Sequence, residues 1–173
     1  MKPLVICTLL SLLFCSFIFH SKIEKGYKAL EVYNYFEAKR LFQQTLKKDV
    51  LASGYGLATI YSRNDNPFYN LDSAFRYAKK LNAFYAASDT KRRIELKKFS
   101  IDSLSIISLQ QKIDSLDFAY TKRQHTLAAY QKFSEQHKTA LQLNDALEQR
   151  NQLAYELAKA QGTMNAFQQF SES

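Results

Sequence analysis

The chain of 173 residues has only two cysteines, four glycines and two prolines, and it has no tryptophan. Both cysteines, Cys7 and Cys15, lie in the first hydrophobic segment. Residues 16–173 therefore cannot form a disulfide among themselves, bind zinc through thiolates or use a cysteine nucleophile. An all-β protein needs a turn signal about every eight to twelve residues, and so few glycines and prolines cannot supply one. The composition predicts α-helices.

The signatures of common active sites are missing as well. The sequence has no G-x-S-x-G, no P-loop, no G-x-G-x-x-G and no H-E-x-x-H. Its three histidines, His20, His125 and His137, have no cluster of Asp, Glu or Cys beside them in the sequence, as a metal site would require. Spacing leaves hydrolysis by paired carboxylates open, but nothing in the pattern favours it. We therefore predict no catalytic, cofactor-binding or metal-binding residue, and a protein that is not an enzyme.

An uncharged hydrophobic run of 16 residues, Leu4–Phe19, stands near the amino terminus. Its length falls between the core of a signal peptide, about 7 to 15 residues, and a membrane-spanning helix, about 20 residues. Residues 1–21 are therefore predicted to be a signal peptide or a membrane anchor, which places the protein in the cell envelope, membrane-associated or periplasmic. Cleavage and retention both stay open, and Phe14 disfavours lipidation of Cys15.

Positive charge is concentrated in the first half of the chain. Residues 22–100 hold 16 Lys and Arg against 8 Asp and Glu, whereas residues 101–173 hold 7 against 8. The densest part is the run KRRIELKK, Lys91–Lys98. A solvated helix face is the preferred interpretation; contact with an acidic protein or anionic lipid comes next, and nucleic acid is the least favoured partner.

The stretch GYKALEVYNYFEAKRLFQQTLKK, residues 26–48, has apolar and small residues at helical spacing. Asn34 interrupts the pattern and predicts a turn between two helices. Small residues such as Gly26 and Ala38 would let the helices approach, and large ones such as Tyr35 and Phe42 would fill the space between them. A helical hairpin is predicted.

This stretch resembles the tetratricopeptide repeat, a helix–turn–helix unit with a period of about 34 residues. Gly26, Tyr35, Ala38 and Phe42 fall on the glycine, turn aromatic, alanine and second aromatic of that repeat, while Thr45 departs from it. The resemblance implies a solenoid of stacked antiparallel helix hairpins that binds protein partners.

A second, irregular hairpin is predicted to complete a basic region over residues 22–100. Gly56–Tyr61 supplies its first helix, Arg63–Asn70 a turn-rich loop, and Leu71–Leu81 its second helix, capped by Asp72 or Ser73.

Further irregular helical repeats are predicted over residues 101–173. Asp117–Phe133 can be aligned with Gln152–Phe170, and this alignment makes Thr126 and Thr163 N-caps of short second helices. A long amphipathic helix is expected over Thr139–Gln161.

Three details of this second half are further expectations. Gly162 should end the long helix. The motif IDSL occurs at Ile101–Leu104 and Ile113–Leu116, and each copy should begin a helical segment. The last repeat is predicted to be truncated, so that Ala166, Phe167 and Phe170 form an open apolar edge for a partner or for more of the same chain.

The whole pattern resembles tetratricopeptide-like envelope proteins of Bacteroidetes. That resemblance implies a non-enzymatic scaffold, membrane-attached or exported, that mediates protein–protein interaction. The alternative is a basic helical protein that binds nucleic acid or anionic lipid.

Overall fold

The computed structural model describes residues 22–165 and residue 168, which are helices joined by short turns. No β-strand occurs among these residues, so the predicted all-α class is confirmed. The hydrophobic segment of residues 1–21 and the predicted apolar edge at Ala166, Phe167 and Phe170 lie outside the described residues. None of the helices in the described ranges combines the length and the hydropathy needed to cross a membrane.

The helices are named here in chain order. They are α1 (22–31), α2 (Tyr35–Thr45), α3 (Val50–Tyr61), α4 (Leu71–Ala78), α5 (Leu81–Ala86), α6 (Thr90–Lys97), α7 (Ser103–Gln124), α8 (Leu127–Gln136) and α9 (Leu143–Gln161). Backbone contacts divide the chain into two units, one ending at Gln110 and the other beginning at Gln111. The division falls within α7, whereas the sequence placed a boundary after residue 100.

Short polar residues cap the helices of the first unit. Asn34 accepts a hydrogen bond from the Glu37 N–H at 3.2 Å, and Tyr33 before it has a φ of 60°, so the predicted turn is confirmed. Asn70 caps α4 by accepting from the Ser73 N–H at 2.7 Å. Asp72 and Ser73 were the predicted caps, and that prediction is wrong because α4 starts earlier, at Leu71.

The two IDSL motifs have different structures. Asp102 and Ser105 exchange cap hydrogen bonds of 2.8 Å just before and within the first turn of α7, so the first copy does begin a helix. Residues 113–116 lie in the middle of α7, and the expectation that they begin a helix is wrong. There the Asp114 side chain lies 2.8 Å from the ring of His137, which follows α8.

The predicted N-cap of α8 and the predicted end of α9 are confirmed, but the predicted start of α9 is not. Thr126 caps α8 by accepting from the Ala129 N–H, and Gly162 ends α9 in the left-handed conformation with a φ of 63°. However, α9 begins at Leu143 and not at Thr139, because residues 137–142 form the turn between α8 and α9.

In the first unit, the ring of Phe42 is fully buried between two glycines. A Cβ atom built on Gly26 would lie 2.8 Å from Cε1 of this ring, and one built on Gly56 would lie 2.5 Å from Cζ. Tyr27 meets the same ring edge-on, with centroids 4.9 Å apart. Helices α1, α2 and α3 can therefore pack this closely only because neither glycine has a side chain.

In the second unit, the core joins the end of α7 to α8, α9 and the turn between them. Phe118 and Phe133 lie with their ring centroids 5.2 Å apart. The core residues are Phe118, Tyr130, Phe133, Ala140 and Ala146, with Leu153 packed against them.

We predict that Gly56→Ala destabilises the protein by about 1 to 3 kcal/mol, because the new methyl group would overlap a ring that Gly26 confines on the other side. Gly54→Ala in the same helix is the control. Its Cβ would meet only the flexible end of Leu81 at 3.2 Å, so the higher helix propensity of alanine should make it neutral or stabilising by up to about 1 kcal/mol. Urea unfolding of both variants measures the difference, and equal effects would contradict the packing described.

Phe42→Ala should cost about 3 to 5 kcal/mol, because it leaves a cavity in the centre of the first unit. The same substitution should also remove most of the cost of Gly56→Ala, since the overlapping ring is then absent. A double-mutant cycle built on urea unfolding measures this coupling. Additive effects of the two substitutions would show that the ring and Gly56 are not in contact.

Candidate functional site

The turn between α1 and α2 and the start of α2 expose large apolar side chains. Val32 is 72% exposed, Tyr33 63% and Phe36 68%. Helix α2 buries its opposite face, which contains Tyr35, Ala38 and Phe42. Phe68 of the following long loop meets Phe36 edge-on, with ring centroids 4.8 Å apart. We call this group of side chains the aromatic surface; it consists of Val32 and the rings of Tyr33, Phe36 and Phe68.

The loop of residues 62–70 is held in place by its own polar groups. Asn66 donates hydrogen bonds from Nδ2 to the carbonyls of Ile60, at 3.0 Å, and Arg63, at 2.7 Å. Its Oδ1 accepts from the Phe68 N–H at 2.8 Å. The Asn70 N–H donates to the Tyr61 carbonyl at 2.9 Å and closes the loop. The position of the Phe68 ring is therefore set by the chain on both sides of it.

A small polar network joins this loop to α2. The Tyr35 hydroxyl donates to Asp65 Oδ1 at 2.8 Å, and Arg63 Nη2 lies 2.7 Å from Asp65 Oδ2. The guanidinium of Arg63 also lies over the rings of Tyr33 and Tyr35, at 5.0 and 5.4 Å from their centroids. These contacts fix the loop against the exposed turn.

The pKa values of Tyr35 and Asp65 in this network lie far from neutral pH. Burial and the hydrogen bond to Asp65 raise the pKa of Tyr35 to about 12. Hydrogen bonds from Arg63 and then Tyr35 lower the pKa of Asp65 to about 2. Around neutral pH the tyrosine is therefore a donor and the carboxylate an acceptor, as the geometry requires.

A lysine adds a cation to the aromatic surface. Lys39 Nζ lies 4.1 Å from the centroid of the Phe68 ring and 5.8 Å from that of Tyr61. Exposed rings next to cations provide both apolar contact and polar selectivity for a binding partner. Sequence reasoning did not single out Val32, Phe36 or Phe68, and so it missed this surface.

The basic run Lys91–Lys98 lies mainly on α6, and part of its charge is used inside the first unit. Arg92 pairs with Asp49, the cap of α3, and its Nη1 lies 3.1 Å from Glu95 Oε2. Arg93 donates to the Ala86 carbonyl at 2.8 Å. Leu96 is fully buried. Within this run, Lys91, Lys97 and Lys98 are the cationic side chains that are exposed to solvent.

In the second unit, His137 lies between two aspartates of α7. Its Nδ1 is 2.8 Å from Asp114 Oδ1, and its Nε2 is 2.7 Å from Asp117 Oδ2. The aspartates approach opposite edges of the ring, so the three side chains do not converge on one point. No group of His, Cys, Asp and Glu in the described ranges could hold a metal ion.

Sequence reasoning missed this cluster, because it found no cluster of Asp, Glu or Cys beside His137 in the sequence. The contacts span 23 residues to Asp114 and 20 to Asp117. The only available signal was the spacing of the two aspartates, which places them one helical turn apart on a shared face. His125, in contrast, is exposed, with its Nδ1 3.4 Å from the Tyr130 hydroxyl.

Each unit also has an open cleft. The cleft of the first unit has a volume of about 230 Å³ and lies beside Tyr27 and Phe99, which stack with centroids 4.7 Å apart. That of the second unit has about 350 Å³ and is lined by Phe118, Lys122, His125, Tyr130, Asp145, Glu148 and Gln149. Both clefts carry acidic and basic groups together, which does not single out one class of ligand.

Comparison of the chain with protein-family models, curated proteins and solved structures found no significant match.

We predict that Tyr35→Phe loosens the loop of residues 62–70, because the loop loses its hydrogen bond from α2 at Asp65. The free energy of unfolding should fall by about 1 kcal/mol, and amide hydrogen exchange in the loop should become faster. Tyr69→Phe, at an exposed tyrosine of the same loop, is the matched control and should change neither quantity. Unchanged loop exchange in Tyr35→Phe would mean that the hydrogen bond does not hold the loop.

Proposed function

We propose that this protein is a non-enzymatic helical-repeat scaffold that binds other proteins through the aromatic surface of its first unit. The exposure of Val32, Tyr33 and Phe36 at one turn is the observation that carries the proposal. Soluble monomers usually bury such residues or scatter them singly, so three of them within five consecutive positions support an interaction site.

The rigidity of the surface supports this function. A hydrogen-bonded loop positions Phe68, and the pair of Arg63 and Asp65 connects that loop to Tyr35. Side chains that are already ordered lose less conformational entropy on binding, and aromatic residues contribute much of the binding energy at protein interfaces.

The tetratricopeptide-like arrangement is part of the proposal. The close contact of Gly26 and Gly56 with Phe42 is the packing expected when the first helices of two successive hairpins enclose the second helix of the earlier one. In this reading α1 and α2 form one repeat, and α3 and α4 form the next, with the loop of residues 62–70 as an insertion.

The cellular setting rests on the sequence. The hydrophobic segment Leu4–Phe19 supports export or membrane attachment. We therefore propose a place in the cell envelope, of the kind that the resemblance to Bacteroidetes envelope proteins implies. Proteins of the same envelope are the expected partners.

The test is affinity capture with the full chain, purified in detergent and presented to detergent-solubilised envelope fractions. The variant Tyr33→Ser/Phe36→Ser removes the two exposed rings of the turn. Recovery of a specific partner should fall at least tenfold, because loss of one well-placed ring costs about 1 to 2 kcal/mol and tenfold corresponds to about 1.4 kcal/mol.

Leu104→Ser is the matched control, because Leu104 is 75% exposed in the first unit but does not belong to the aromatic surface. This variant should recover the partner as the unmodified protein does. Circular dichroism checks that all three proteins are equally folded. The proposal fails if no partner is recovered reproducibly, or if the double variant and the control recover it equally.

A further inference from the structure

The cluster of Asp114, His137 and Asp117 contains a buried histidine at a structural junction. His137 directly follows α8, whose last turn it closes by donating its backbone N–H to the Phe133 carbonyl at 2.8 Å. Its ring stacks on that of Phe133, with centroids 4.5 Å apart and an angle of 11° between the planes. The side chain thus connects the turn after α8 with α7.

The geometry determines how many protons the ring holds. A carboxylate only accepts hydrogen bonds, whereas a neutral imidazole has one N–H and one bare nitrogen. Both ring nitrogens lie within 2.8 Å of a carboxylate oxygen, so while both aspartates are ionised, both contacts are hydrogen bonds only when both nitrogens carry hydrogen. The charged imidazolium between two carboxylates satisfies this condition.

We propose that Asp114, His137 and Asp117 form a proton-dependent clamp, which holds α8 and the turn to α9 against α7 and is released when His137 loses its second ring proton. The bare nitrogen would then face a carboxylate at 2.7 or 2.8 Å, where the two lone pairs repel each other. His137 is only 2% exposed and Asp114 3%, so water has little access to replace the lost donor.

The charged groups in contact with the His137 ring are the two aspartates of α7. The hydrogen bonds and charges of Asp114 and Asp117 both raise its pKa. Other ionisable side chains lie near the ring in sequence, on α8 and the following turn, and on the first turns of α9. These side chains are exposed to solvent: Lys132, Glu135, Lys138, Asp145 and Glu148.

The sign of the pH dependence follows from the pKa of His137. Burial lowers this pKa, but the hydrogen bonds and charges of Asp114 and Asp117 outweigh burial and raise it above the usual 6.5. A group whose pKa is higher in the folded than in the unfolded state gives its full stabilisation below the unfolded value. The clamp is therefore complete below pH 6.5 and is lost as the pH rises through the raised pKa.

The first experiment is urea unfolding of the full chain in detergent from pH 5.5 to 9. Between the unfolded and folded pKa values of His137, one extra proton on the folded state makes the unfolding equilibrium constant rise about tenfold per pH unit. The variant Asp117→Asn should abolish this rise, because its amide can donate to Nε2 of a neutral ring. His125→Gln, at the exposed histidine, should keep it.

A second measurement does not depend on any variant. Nitrogen NMR of the imidazoles in the unmodified protein at pH 6.5, the usual pKa of histidine, should show both ring nitrogens of His137 protonated in most molecules. A His137 that is mostly neutral at pH 6.5 would overturn the proposal. So would stability that does not decrease from pH 6.5 to 9, or a decrease of the same size in Asp117→Asn and the unmodified protein.

Discussion

The close contact of the Phe42 ring with the backbones of Gly26 and Gly56 is the constraint on which the first unit depends. It brings α1, α2 and α3 closer together than a residue with a Cβ atom at position 26 or 56 would allow. It also fixes the rotation of α2 about its own axis. Because a helix has about 3.6 residues per turn, fixing Phe42 inward also buries Ala38 and Tyr35 and directs Phe36 outward. The exposed position of Phe36 in the aromatic surface is thus a consequence of the same contact.

Much of this packing could be predicted from the sequence, because helical periodicity carries it. Tyr35, Ala38 and Phe42 were expected on the buried face of a helix that follows a turn at Asn34, and all three are buried there. Exact helix ends were less predictable, because neighbouring polar residues compete for the cap. Asn70 caps α4 although Asp72 and Ser73 are equally suitable by type. The second IDSL motif lies inside α7, although the first copy begins this helix.

The candidate sites were harder to predict from the sequence, because both depend on contacts between residues that are far apart in the chain. Phe36 becomes part of a surface only when Phe68, 32 residues later, lies against it. His137 becomes a buried ion only when the packing of α8 on α7 brings it between Asp114 and Asp117. Periodicity assigns residues to faces of one helix, but it does not say which faces of two helices meet.

The two units therefore respond differently to pH, and this difference bears on both proposals. Asp65 and Tyr35, which hold the loop under the aromatic surface, have pKa values of about 2 and about 12, so neither changes charge near neutral pH. His137 does titrate in the range above its usual pKa, and its second proton completes the buried contacts of the second unit. The loop under the aromatic surface, which is proposed to bind a partner, is thus held by groups whose charge is fixed near neutral pH. The pH-sensitive contact is confined to residues that contribute nothing to that surface.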